Sequence, residues 1–565
     1  MIEQYQHNDI PREIFHHNKK IVPSSSEGYV VDHSNKHLPI PPQISYVHLT
    51  TNEYMLSTLP NNITHLSFGG NINEDIILPP HIKYVQFGYG FDRKVILPQG
   101  IRGVIFGYQF NQPIILPSSI EHVEFGYEFN HPIIIPRNVK LLTFGCCFNQ
   151  KVKLPDGLKT LSIEGDYNQS TILPHGLQAL YFKPYVFDHQ LHLPLHLEHL
   201  CFNCYQYGNN TITLPKSLVS IHFNTSSPLH IELPHHIKIV VIGHSYNVPI
   251  IIPNGAEHVV FGHSYDHPVI LSPSIRYLKC GDGMNSAIFF DNAIQLERLI
   301  FCTTYNMPTS LVNCRQLKKI TFGHYFDSEV QFAPQSNQLL SITFGQKYNK
   351  DVILPPYVAS VKFGDHYNRP TILNDCYSLR HLKFGRDFDE EVKLPINLVS
   401  VVFGYSFNRQ VELPINVKSV TFGYCFNQPM DLGCYEQLTF LNFEDLYTSD
   451  IILPPNLQSI TIGNGFSKLN ITYPSSIMEF NKKWTPHYIE PQISEQLMRN
   501  YNIIKTNLFN FKPMVKHCEV NKYNVDLKSK TLLNITCSCD NMLGVTSKTD
   551  VLPEYEMKNN TCLIS

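Results

Sequence analysis

The chain has 565 residues, of which 16% are charged, and it carries 35 Phe and 31 Tyr against a single Trp, whereas an ordinary soluble protein is about 25% charged. A formal net charge of -3 leaves no field to neutralise the phosphates of a nucleic acid. No apolar run is long enough to span a bilayer, the opening residues lack a secretory signal, and the 14 Cys follow no disulfide framework, so a cytosolic compartment with reduced thiols is expected.

Residues 1–40 read as an N-terminal extension or cap. From Pro41 a repeat takes over. Phe68-Gly69, Phe87-Gly88, Phe106-Gly107, Phe125-Gly126 and Phe144-Gly145 follow one another at 19-residue steps, and the register continues at spacings of 19 to 22 as far as Ile462. With that Phe as position zero, a typical unit has Pro at minus eight, apolar residues at minus five and minus two, Gly at plus one, Phe or Tyr at plus four, and Asn or Asp at plus five; Ile120, Val123, Phe125, Gly126, Phe129 and Asn130 show it cleanly. Apolar and polar residues alternate before the Phe, as in Lys83-Tyr84-Val85-Gln86-Phe87, which is the period of a short half-buried strand. Gly lets the chain turn away, and Pro at minus eight excludes helix on the return. A unit this small cannot bury its apolar positions alone, so the coils must stack into one continuous core. The expectation is a mainly β, right-handed solenoid over residues 41–480, with about 22 short coils of 19–22 residues and one parallel strand per coil.

Asn111, Asn130, Asn149, Asn168, Asn349, Asn368, Asn408 and Asn427 fall in the plus-five column, where a short amide can satisfy backbone groups of the adjacent coil. Tyr89, Tyr108 and Tyr127 occupy plus two on three consecutive coils, and Tyr405 with Tyr424 repeats the arrangement. An exposed Tyr row offers rigid contact area to a protein partner, or it is a ladder that supports neighbouring turns. Among the 28 His, His65, His122, His199, His258 and His381 fall at minus three, an outward column, and His244 with His263 sit one coil apart at plus two. The repeat places them, and they do not converge on a metal or catalytic centre. The thiol pairs Cys146-Cys147 and Cys201/Cys204 lack the further ligands a structural zinc needs, and no phosphate-cradling or nucleophile motif occurs. No cofactor, metal or catalytic residue is expected.

Phe110-Asn111-Gln112-Pro113-Ile114, Phe129-Asn130-His131-Pro132-Ile133 and Phe426-Asn427-Gln428-Pro429 resemble the FNIP repeat, known from social amoebae and from giant viruses that infect amoebae. The resemblance covers about residues 40 to 480 and implies a leucine-rich-repeat-like solenoid. Some viral members of the family resemble F-box proteins at the N-terminus. Ile10-Pro11-Arg12-Glu13-Ile14-Phe15 resembles an F-box opening, but Pro23, the Ser24-Ser25-Ser26 cluster and Gly28 then break the helical pattern, so no complete F-box is expected.

Residues 481–515 read as a C-terminal helical cap, with Ser494 opening a helix to about Phe509, and residues 516–565 as a small appendage and tail. The terminal Cys562-Leu563-Ile564-Ser565 has the form of a prenylation signal, for which Cys537 or Cys539 could supply palmitoylation as a second anchor. The sequence thus points to a non-enzymatic protein-interaction scaffold in the cytoplasm, the host's if the source is viral, with Tyr89, Tyr108 and Tyr127 as candidate contacts. The alternative is an adaptor that presents bound proteins to ubiquitin machinery or, through Cys562, to a membrane surface.

Overall fold

The computed structural model describes residues 28–482 except 71, 209–210, 335, 374, 445, 464–468 and 470, together with the backbone of 525–526 and 531–532, a short antiparallel pair. The expected helix at 494–509 and Cys537, Cys539 and Cys562 lie outside the described residues. The chain divides into two compact units, Met1–Tyr367 and Asn368–Ser565.

In the first unit a parallel ladder begins at Tyr29–Val31, inside the span read as N-terminal extension. It runs through Tyr46–Leu49, His65–Phe68 and Tyr84–Gln86, one strand to each coil, to Ser360–Lys362. Register follows the repeat: Val85 pairs with Val104, and Val104 with Val123. The second unit repeats this from His381–Lys383 to Ser459–Ile462 and ends on Glu479–Lys482. One paired coil thus follows Ile462, with Phe480 opposite Ile460.

The inward positions form columns. Ile82, Ile101, Ile120 and Val139 at minus five are 0% exposed, and Val104 and Val123 at minus two likewise. The Phe at zero stacks on its counterpart in the next coil, with ring centroids 5.3 Å apart for Phe106–Phe125 and planes within 6°. The plus-four rings form a second column, 6.1 Å apart for Phe110–Phe129. Each buried Phe contributes about 1.5–3 kcal/mol by leaving water, and in runs of Phe coils such as Phe87, Phe106, Phe125 and Phe144 the rings stack one on the next.

Three local devices make the coil. First, the minus-eight Pro opens a turn: the carbonyls of Pro79, Pro98 and Pro117 accept from the N–H groups of Ile82, Ile101 and Ile120 at 3.1–3.2 Å. Second, the plus-one Gly is required by proximity more than by turn conformation. A Cβ on Gly88, Gly107, Gly126 or Gly145 would overlap the carbonyl of the preceding coil's Gly, whereas among the described glycines only Gly165 has a positive φ, +73°. This corrects the reading of these glycines as conformational hinges. Third, the plus-five side chains bind the next coil's backbone: Asn130, Asn149 and Asn168 each donate their N–H to the Oδ1 of Asn111, Asn130 and Asn149 at 3.0 Å. In the second unit the same bonds link Asn408 to Asp389 and Asn427 to Asn408, both at 2.9 Å.

The return path holds a second, shorter ladder in some coils, as where Ile76–Ile77 pairs with Val95–Ile96. There Ile77, Ile96, Ile115 and Ile134 face out, each 62% exposed or more, while Leu78, Leu97 and Leu116 beside them are buried. The Ile-Leu-Pro strings conceal this alternation in a run of apolar letters.

Candidate functional site

Tyr89, Tyr108 and Tyr127 leave the strand two residues past the core Phe, immediately after the tightly packed Gly. The backbone at this bend is tied from coil to coil: the N–H of Gln109 donates to the Tyr89 carbonyl and that of Glu128 to the Tyr108 carbonyl, both at 3.0 Å. Fixed this way, the rings stack face to face at 4.7 Å between Tyr89 and Tyr108 and 4.6 Å between Tyr108 and Tyr127, with planes within 13° and 6°. Tyr89 is 62% exposed, against 37% and 38% for the other two, because one of its faces is uncovered. The structure thus combines both readings of the row, since the ladder supports its own turns and also presents an aromatic surface to solvent.

The row continues past the residues the sequence singled out. Cys146 takes the next plus-two position, beside Tyr127 and hydrogen-bonded to Tyr185, which is itself 54% exposed. Cys146 and then Tyr185 hold the Tyr127 hydroxyl above its ordinary range, and desolvation followed by the neighbouring tyrosines does the same for Tyr108. Glu128 bears on Tyr108, and Asp166 on Tyr127 and Tyr185, so the flank is acidic. Tyr185 sits at plus three because its coil carries an inserted residue, which hides it from a fixed column count.

In the second unit Tyr405 and Tyr424 stack at 4.8 Å with planes 4° apart, and the Arg386 guanidinium lies 5.2 Å from the Tyr405 ring centre. The bend is held as before, with Ser406 N–H donating to the Arg386 carbonyl and Cys425 N–H to the Tyr405 carbonyl at 2.8 Å. Arg386 was missed from the sequence, although its place at plus two, one coil before Tyr405, was there to be seen.

The remaining candidates do not assemble into chemistry. His244 and His263 stack at 4.9 Å as one rung of the same plus-two column. His122 pairs with Glu124 at 2.7 Å, and His199 with Ser220 at 2.8 Å, along the outward strand face. Cys201 lies 3.7 Å from His222 Nδ1, but burial pushes its thiol up to about 11 and that of Cys204 to about 12. Neither is a thiolate at neutral pH, and a nucleophile must be one. Among the described residues no group of His, Cys, Asp and Glu could hold a metal ion, and no helix is long and apolar enough to cross a membrane. A recess of about 330 Å³ in the second unit is lined by Pro429, Met430, Asp431, Asp450 and neighbouring aliphatic residues. There Asp431 accepts the Gly433 N–H at 3.0 Å.

The family model described as FNIP Repeat matches residues 56–90, 91–128 and 110–147. No curated protein matches the chain. Among solved structures, the chain is similar to CroV588, described as a novel circular LRR protein, at 25% identity with a TM-score of 0.58, over 78% of this chain and 79% of that one. YopM from Yersinia enterocolitica aligns over 77% of this chain and 91% of its own at 15% identity, with a TM-score of 0.36. The chain carries FNIP repeats within residues 56–147, and its stacked parallel coils form a leucine-rich-repeat-like solenoid.

Proposed function

We propose that the protein is a non-enzymatic scaffold for protein–protein interaction and that the Tyr89–Tyr108–Tyr127 row is one of its contact surfaces. The observation that carries this is the row itself: three large side chains, held rigid by ring stacking and coil-to-coil backbone bonds, yet 37–62% exposed. Exposed aromatic area that is already ordered loses little conformational entropy when a partner covers it. The cytoplasm, with protein partners and no cofactor, belongs to the same proposal.

Proximity labelling in the native cell, with the parent chain and a Tyr89→Ser/Tyr108→Ser/Tyr127→Ser variant, tests it. Loss of a defined set of labelled proteins from a variant that still folds is the expected result, and an unchanged set overturns the assignment. The alternative is an adaptor that presents bound proteins to ubiquitin machinery or to a membrane, and its membrane arm rests on the Cys562 motif in the sequence. Unchanged membrane fractionation of Cys562→Ser would remove its membrane arm.

A further inference from the structure

The two Tyr stacks differ at their heads. In the second unit the column reads Arg386, Tyr405, Tyr424, and the guanidinium covers the leading ring. In the first unit the residue in the place of Arg386 is Gly70, one coil before Tyr89. Among the described residues nothing lies within 4 Å of where a Gly70 Cβ would stand. Tyr89 accordingly keeps 62% of its surface in solvent, whereas Tyr405 keeps 44%. In both stacks the carbonyl of the leading Tyr accepts from the plus-three N–H of the next coil, Gln109 onto Tyr89 at 3.0 Å and Cys425 onto Tyr405 at 2.8 Å.

We propose that the open face of Tyr89 receives an arginine side chain from an extended segment of a partner protein, in the position that the chain's own Arg386 takes on Tyr405. A planar guanidinium stacks on an aromatic face and is less strongly hydrated than an ammonium, so arginine suits the site better than lysine. Further basic residues of the segment lie along the row toward Glu128 and Asp166, the acidic groups at its far end. The first unit thus leaves to another molecule the cap that the second unit supplies for itself. This inference rests on the Tyr row being a protein contact.

The test is fluorescence polarisation of a fluorescein-labelled Gly/Ser peptide bearing spaced arginines, titrated with the full chain, beside versions carrying citrulline or lysine in their place. The arginine peptide is expected to bind, with the citrulline and lysine versions weaker. Tyr89→Ala should weaken it by about two- to fivefold, the range of one exposed cation–π contact, and Tyr89→Phe should retain it. Gly70→Arg, which gives the first stack its own cap, should abolish the Tyr89-dependent part of binding, while Gly70→Ala leaves it intact. Citrulline or lysine binding as well as arginine, indifference to Tyr89→Ala, or no binding of the arginine peptide would each overturn the proposal. The scaffold reading would survive any of these if the triple Tyr variant still loses labelled proteins.

Discussion

The coils at Phe87, Phe106, Phe125 and Phe144 and those at Ile163, Phe182, Phe202 and Phe223 solve one stacking problem in two ways. In the first set Gly comes directly after the core Phe, strands such as Tyr84–Gln86 and His122–Glu124 are 3 residues long, and the zero and plus-four rings of a coil lie nearly parallel, 4.0 Å apart and 15° inclined for Phe125–Phe129. In the second set Glu164, Lys183, Asn203 and Asn224 replace Gly, and the strands lengthen to 6 residues at Thr160–Gly165 and Ala179–Pro184. Their side chains pair outside the core, Lys183 with Glu164 at 2.9 Å and Asn224 with Asn203 at 2.8 Å. In the Phe182 and Phe202 coils an inserted residue moves the second ring along by one position, and it meets the first edge-on, at 86° for both Phe182–Phe187 and Phe202–Tyr207. Glycine at plus one thus ends the strand at the core Phe and lets the bend nest against its neighbour. In the second set, with a side chain there, the ladder runs on past the core position, although Cys302 after Phe301 and Glu444 after Phe443 leave strands of 3 residues.

The largest test of that contrast is in the core both regions share. Phe125→Ala should cost about 3–5 kcal/mol by leaving a void between two stacked rings. Phe202→Ala should cost a similar amount, with hydrogen exchange quickening in the flanking coils of each. Gly107→Ala should cost about 1–3 kcal/mol, because its Cβ meets backbone that cannot step aside, whereas Asn203→Ala should lose no more than about 1 kcal/mol. Equal losses in urea unfolding would mean that close approach does not explain the Gly column. Asn130→Ala should cost about 1–2 kcal/mol, since the Asn149 N–H loses its 3.0 Å acceptor, and exchange at that amide should report it directly.

The ion pairs come last. Glu121 with Lys140 in the first region, at 2.6 Å, and Glu164 with Lys183 in the second are partly exposed and worth a few tenths of a kcal/mol each. The hydrogen bond from Lys140 holds Glu121 below the usual glutamate range. Its contribution is therefore fully present at neutral pH and is lost as pH falls through that lowered value, and added salt shrinks it. A Lys140→Met variant whose stability fell just as steeply on acidification as the parent's would deny the pair that role.

The strands, core columns and Asn ladder were legible in the sequence because each rests on a spacing that repeats: Phe106, Phe125 and Phe144 state the register, and Asn111, Asn130 and Asn149 state the bond. The solvent-facing row was legible as a position but not as a surface. Whether a ring at either end of the row keeps an open face depends on its neighbours along the stack, Gly70 for Tyr89, and Cys146 with Tyr185 for Tyr127. Coils with insertions were read least well. A fixed plus-four count lands on Val186 and Gln206, while Phe187 and Tyr207 are the buried rings, because the extra residue is absorbed between the two ring positions.

The Asn ladder has a direction. Each side-chain oxygen accepts from the next coil along the chain, so a coil with Asn at plus five, such as those of Asn130 and Asn149, brings one donor for its predecessor and one acceptor for its successor. A duplicated coil arrives with both halves of the joint already in place, and a deleted one takes both away, leaving neighbours that still match. Length in such a protein can change in whole repeats by tandem copying of the gene, with no compensating change elsewhere in the stack.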